Sequence, residues 1–136
     1  MSLIDTYRNN IKRKKEEEIR LNNEKTKYLS DKANRSSKIV SAKQSISRTK
    51  SDSTIKSKIR EIDRNEKEVQ VIEKKIAEVD KKIVRKRKEI VDEEKKLQRE
   101  EINVNRRNEL EQRKNAERLN SKIQDIGSKQ DFLQKE

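Results

Sequence analysis

Lys81, Lys82, Arg85, Lys86, Arg87 and Lys88 place six cations in eight residues with no acid among them. A patch of that density attracts phosphates or an acidic partner. Acids also cluster, at Glu16–Glu18, Asp92–Glu94 and Glu100 with Glu101. Such carboxylates serve as metal ligands or acid–base pairs only where they converge, and neighbours on a helix point about 100° apart. A solvated charged face accounts for them. Tyr7, Tyr28 and Phe132 are the only aromatics, so stacking platforms for single-stranded nucleic acid are absent. No segment matches a zinc finger or a helix-turn-helix. Nucleic-acid binding is therefore expected to be weak and non-specific.

Other chemistry is excluded by residue type. The chain has no cysteine and no histidine, which removes disulfides, thiol redox chemistry and ordinary zinc sites. A single glycine rules out phosphate-cradling loops, which need several. No catalytic residue, metal or cofactor is expected. No apolar run exceeds two residues, so neither a signal peptide nor a membrane span is expected, and the expected location is the cytoplasm.

The elements that carry these side chains follow from hydrophobic spacing. Ile55, Ile62, Val69, Ile76, Ile83, Ile90, Leu97 and Val104 stand seven residues apart in unbroken register. A strict seven-residue repeat drifts around a straight helix and stays buried only when helices wind around one another left-handedly. At 27% hydrophobic and 47% charged, the chain has material for a seam rather than a globular core. The first part has its own, more polar frame: Ile4, Glu18, Ile39 and Ile46 share one phase, Tyr7, Leu21, Tyr28 and Ala42 the other. Lys14, Lys25, Lys32 and Arg35 also fall on it.

The two frames do not join. Between them lie Thr49, Lys50, Ser51, Asp52 and Ser53, a polar stretch whose Ser and Asp residues favour caps over helix interiors. The expectation is an all-α, long antiparallel coiled-coil helical hairpin that self-associates. It has a first helix over 3–48, a turn over 49–53 and a long second helix over 54–126 capped by Ser53. Gly127 is placed as the C-cap, and 127–136 as a stub or linker with Phe132 and Leu133 as apolar anchors. Folding the chain about Asp52 brings Tyr7 beside Leu97, Leu21 beside Ile83, Tyr28 beside Ile76 and Ala42 beside Ile62. The same alignment sets Glu16–Glu18 beside Lys86, Arg87 and Lys88. Ala77, Val84 and Val91 flank the main stripe, either widening the seam or forming a candidate inter-chain surface.

Residues 45–64, reading Ser-Ile-Ser-Arg-Thr-Lys-Ser-Asp-Ser-Thr-Ile-Lys-Ser-Lys-Ile-Arg-Glu-Ile-Asp-Arg, together with the lysine–glutamate–isoleucine run through Lys95 and Lys96, resemble the N-terminal coiled-coil region of bacterial Toll/interleukin-1 receptor (TIR) domain proteins. The opening Met-Ser-Leu-Ile-Asp-Thr-Tyr-Arg-Asn-Asn is similar to the start of that region. The resemblance implies an oligomerising scaffold with an effector domain C-terminal to it. In that family the effector cleaves NAD in antiphage defence or virulence. No position here matches the family's catalytic glutamate motif, so no catalytic residue carries over. The other function class is a basic coiled-coil module that binds an acidic protein or, non-specifically, nucleic acid.

Overall fold

The computed structural model describes residues 2–135, with side chains for 2–130 and 133. Phe132, read as an anchor, lies outside the described side chains. The described residues form two helices, α1 (Leu3–Arg48) and α2 (Asp52–Lys135), and no strand.

Local chemistry sets the helix ends. Ser2 caps α1: its Oγ accepts from the Asp5 N–H at 3.1 Å and its carbonyl from the Thr6 N–H at 3.0 Å. Two donors of the first turn are thereby satisfied, and Asp5 adds a negative charge at the positive end of the helix. With no proline in the chain, α1 runs without a break to Arg48.

The connection is shorter than 49–53. The cap of α2 is Ser51, not Ser53: Ser51 Oγ accepts from the Thr54 N–H at 3.4 Å and Ser51 O from the Ile55 N–H at 3.0 Å. Thr49 Oγ1 in turn accepts from the Ser51 N–H at 3.2 Å, which holds the capping residue outside the helix. Capping at Ser51 puts Asp52 in the first turn, where its charge is favourable.

Nor does α2 stop at Gly127. The helix continues through it to Lys135, and the glycine has no positive φ. Glycine lowers helix propensity by about 1 kcal/mol. It ends a helix only by adopting a left-handed conformation that satisfies the last carbonyls, and here that conformation is not taken.

The chain divides into two compact units, Asn9–Glu93 and Met1–Arg8 with Glu94–Glu136. In the first, α1 and α2 pack antiparallel around a narrow seam. Its buried apolar residues are Ile11, Ala42, Ile72, Val79, Ile83 and Ile90, joined by one buried polar residue, Asn65. Ile55, Ile62, Val69 and Ile76 are half-buried, as are Leu21 and Tyr28. On α2 the buried set occupies two heptad phases: the stripe through Ile83 and Ile90, and a companion through Lys58, Asn65, Ile72, Val79, Lys86 and Glu93.

In the second unit, Ile4, Tyr7, Leu97, Glu100, Glu101 and Val104 are half-buried. Arg8 Nη2 reaches Glu101 Oε1 at 3.3 Å. From residue 105 to 126 every position is exposed.

Candidate functional site

The seam of the Asn9–Glu93 unit is the most organised polar structure among the described residues. Cations at seam positions extend their aliphatic stems along the interface and deliver their charges to acids on the facing helix. Lys86 Nζ lies 2.6 Å from Glu17 Oε2 and 3.0 Å from Glu89 Oε2, while Lys14 Nζ reaches the same Glu89 oxygen at 3.4 Å. Arg87 Nε donates to Glu18 Oε1 at 2.7 Å. Further along, Lys25 meets Asp80 at 2.7 Å and Lys32 meets Glu73 at 3.3 Å. These partners fall within one residue of the alignment made by folding about Asp52. Tyr28 donates to Glu24 Oε1 at 3.2 Å, with Lys75 Nζ 5.8 Å from its ring centre.

Charge pairing moves the titrations. The hydrogen bond from Lys86 holds the Glu17 carboxyl below its usual range. Lys86 and then Lys14 do the same for Glu89, and Glu17 and Glu89 together raise Lys86. Partial desolvation, followed by the bond to Glu24, raises Tyr28. A lowered carboxylate contributes stability above its unfolded pKa and loses it as pH falls through the folded value; a raised lysine contributes below its unfolded pKa and loses it as pH rises through the folded value. The hairpin should therefore be most stable between the carboxylate and lysine ranges, with its thermal midpoint falling below about pH 4.5. Circular dichroism melts should show a smaller drop between neutral pH and about pH 3 in Glu17→Gln/Glu89→Gln than in the parent. Equal drops would remove these two groups from the acid response.

Glu17, Arg20, Leu21, Glu24, Lys82, Arg85, Lys86 and Glu89 line a shallow groove of about 400 Å³. Its central charges are paired with one another, and among the described residues no three acids gather to hold a metal ion. The groove can take a surface side chain, but it does not converge groups on a reacting atom.

The basic cluster is divided by the fold. Lys86 and Arg87 are neutralised by Glu17 and Glu18. Lys81, Lys82, Arg85 and Lys88 are exposed and have no acid partner among the described residues. Ala77, Val84 and Val91 are exposed too, Val84 at 65% and Val91 at 46%, so they do not widen the seam between α1 and α2. Ile11, Asn65, Ile72 and Val79 line the seam without having been singled out from the sequence. Three of them stand at companion heptad positions three or four residues from the main stripe, a phase in which Ile72 and Val79 are the only apolar residues from Lys58 to Glu100.

No protein-family model, no curated protein and no solved structure matches this chain.

Proposed function

We propose that this chain is a non-enzymatic coiled-coil scaffold: a helical hairpin that self-associates and thereby gathers an attached effector domain. One observation carries the reading. From 105 to 126 the described helix is exposed at every residue, yet it presents Leu119, Ile123 and Ile126 along one side, each more than half exposed. A helix in water depends on burying an apolar face, and this face has no cover among the described residues. Ala77, Val84 and Val91 offer a second exposed apolar row, and no helix of the described residues is long and apolar enough to cross a membrane. The effector proposed by resemblance is a TIR domain attached on the C-terminal side, and the reading assigns no catalytic step to the chain itself.

Multi-angle light scattering over a concentration series, with circular dichroism on the same samples, tests the scaffold. A helical species of fixed mass, at least twice the 16.3 kDa of one chain, is the expected result. A helical monomer at every concentration would refute self-association.

The free cations favour a second reading, a module that docks an acidic protein or, weakly, nucleic acid in the same cellular compartment, the cytoplasm. Lys81, Lys82, Arg85 and Lys88 lie on α2 with their charges open to solvent. Neutralising these four to glutamine should leave assembly unchanged under the scaffold reading. Under the second reading it should abolish retention on random-sequence duplex DNA or an acidic peptide at low salt.

A further inference from the structure

Where the intrachain seam ends, the apolar residues of α2 change frame. Beyond Val104 the old seam positions become Arg107, Glu111, Lys114 and Arg118, all exposed. A new set appears at alternating steps of three and four residues: Ala116, Leu119, Ile123, Ile126, then Leu133 after a polar Gln130. Leu119, Ile123, Ile126 and Leu133 are 56–68% exposed. That is a heptad stripe with no helix laid against it among the described residues.

Building on the scaffold reading, we infer that this stripe pairs with the same stripe of a second copy, parallel and in register, as a two-stranded coiled coil. Its chemistry suits that occupant. Ile123 takes an a position and Leu119, Ile126 and Leu133 take d; β-branched a with leucine at two of the three d positions favours a parallel dimer, Ile126 being the exception.

Flanking charges choose the orientation. In parallel register, contacts across the seam join a residue to one five further on in the partner copy. Asn115 then meets Asn120 and Lys122 meets Gly127, with no like-charged pair. An antiparallel alignment that sets Leu119 on Ile123 sets Lys122 on its own copy. The alignment that sets Ile123 on Ile126 sets Lys122 against Lys129. Like charges at these flanking positions oppose pairing.

The extent of pairing follows as well. Traced back along the sequence in the same frame, Lys81, Lys88, Lys95 and Glu109 occupy a positions, so a parallel dimer is confined to the region from Ala116 onward. Parallel pairing brings the C-terminal ends of both copies together, as gathering a C-terminal effector requires.

The test uses the full chain, which contains no cysteine of its own. Leu119→Asp/Ile126→Asp should halve the mass measured by light scattering, whereas Leu110→Asp, off the stripe, should leave it unchanged. Gln130→Cys, at an a position, should form a disulfide-linked dimer under mild oxidation. A parallel pair opposes residue 130 to itself, whereas the Leu119-on-Ile123 antiparallel pair opposes it to residue 112. A dimer that survives Leu119→Asp/Ile126→Asp would overturn this surface while leaving self-association intact. A dimer in which Gln130→Cys fails to link would overturn the parallel orientation. A wild-type monomer would overturn both this inference and the scaffold reading.

Discussion

Ile83→Asp/Ile90→Asp will unfold the hairpin: the far-ultraviolet helical signal will fall to that of a largely disordered chain at room temperature, and any assembly will be lost with it. Ile83 and Ile90 are 4% and 6% exposed in consecutive heptads of the seam. Truncating a buried isoleucine costs about 2–5 kcal/mol. Aspartate adds the cost of holding a carboxylate out of water without a partner. Two such changes approach the whole stability of a small domain, about 5–15 kcal/mol. A hairpin with one narrow seam has no other core to fall back on. The control is Val84→Asp, one residue along the same helix but 65% exposed, which should shift stability by no more than about 0.5 kcal/mol. Near-wild-type melting of the double variant would mean that this seam does not hold the helices together.

Arg35→Ala will destabilise the hairpin by about 1–3 kcal/mol, and Arg35→Leu/Asn65→Leu will restore the loss or exceed it. Asn65 is 4% exposed. Its amide donates to the Glu61 carbonyl at 2.9 Å, and its Oδ1 accepts from Arg35 Nη1 at 3.2 Å. Removing the arginine strands a buried acceptor, whereas replacing both partners by apolar groups removes the need for the bond. Urea denaturation of the two single variants and the double gives the coupling energy, which should lie in the range of about 0.5–3 kcal/mol found for residues in contact. Additive single effects would show that the two side chains do not act together.

Such a polar pair in an apolar seam also limits register. With Arg35 and Asn65 intact, cysteines placed by Tyr28→Cys/Ile76→Cys should cross-link within one chain, and those placed one heptad off by Tyr28→Cys/Ile83→Cys should not. In the Arg35→Leu/Asn65→Leu background the second link should begin to appear.

How much of this was legible in the sequence depends on the kind of residue. The main stripe of α2 is all aliphatic from Ile55 to Val104, and its period alone announces a helix that needs a partner. The companion phase was hidden because five of its seven positions from Lys58 to Glu100 are polar: Lys58, Asn65, Lys86, Glu93 and Glu100. Hydrophobic periodicity cannot detect a seam position filled by a lysine whose stem packs inside while its charge meets an acid on the other helix. Folding the chain about Asp52 in the polar break supplied the alignment, and the opposed runs Glu16–Glu18 and Lys86–Lys88 agree with it.

The ends of the helices and the free surfaces were not legible to the same degree. Ser51, Asp52 and Ser53 are all good caps by type, and only the direction of backbone hydrogen bonds selects Ser51. Gly127 permits a stop without compelling one. Composition and periodicity thus determined an all-helical chain with a heptad seam, and the polar break about Asp52 with the opposed apolar and charge patterns set its fold-back register, because burial and Coulomb attraction depend on residue type and spacing. Tertiary structure alone decided which cations are neutralised by α1, that Ala77, Val84 and Val91 face solvent, and that the helix from 105 to 126 is uncovered. Those outcomes depend on how far α1 reaches along α2 and on which side chains meet across the interface, and distance along one chain does not encode either.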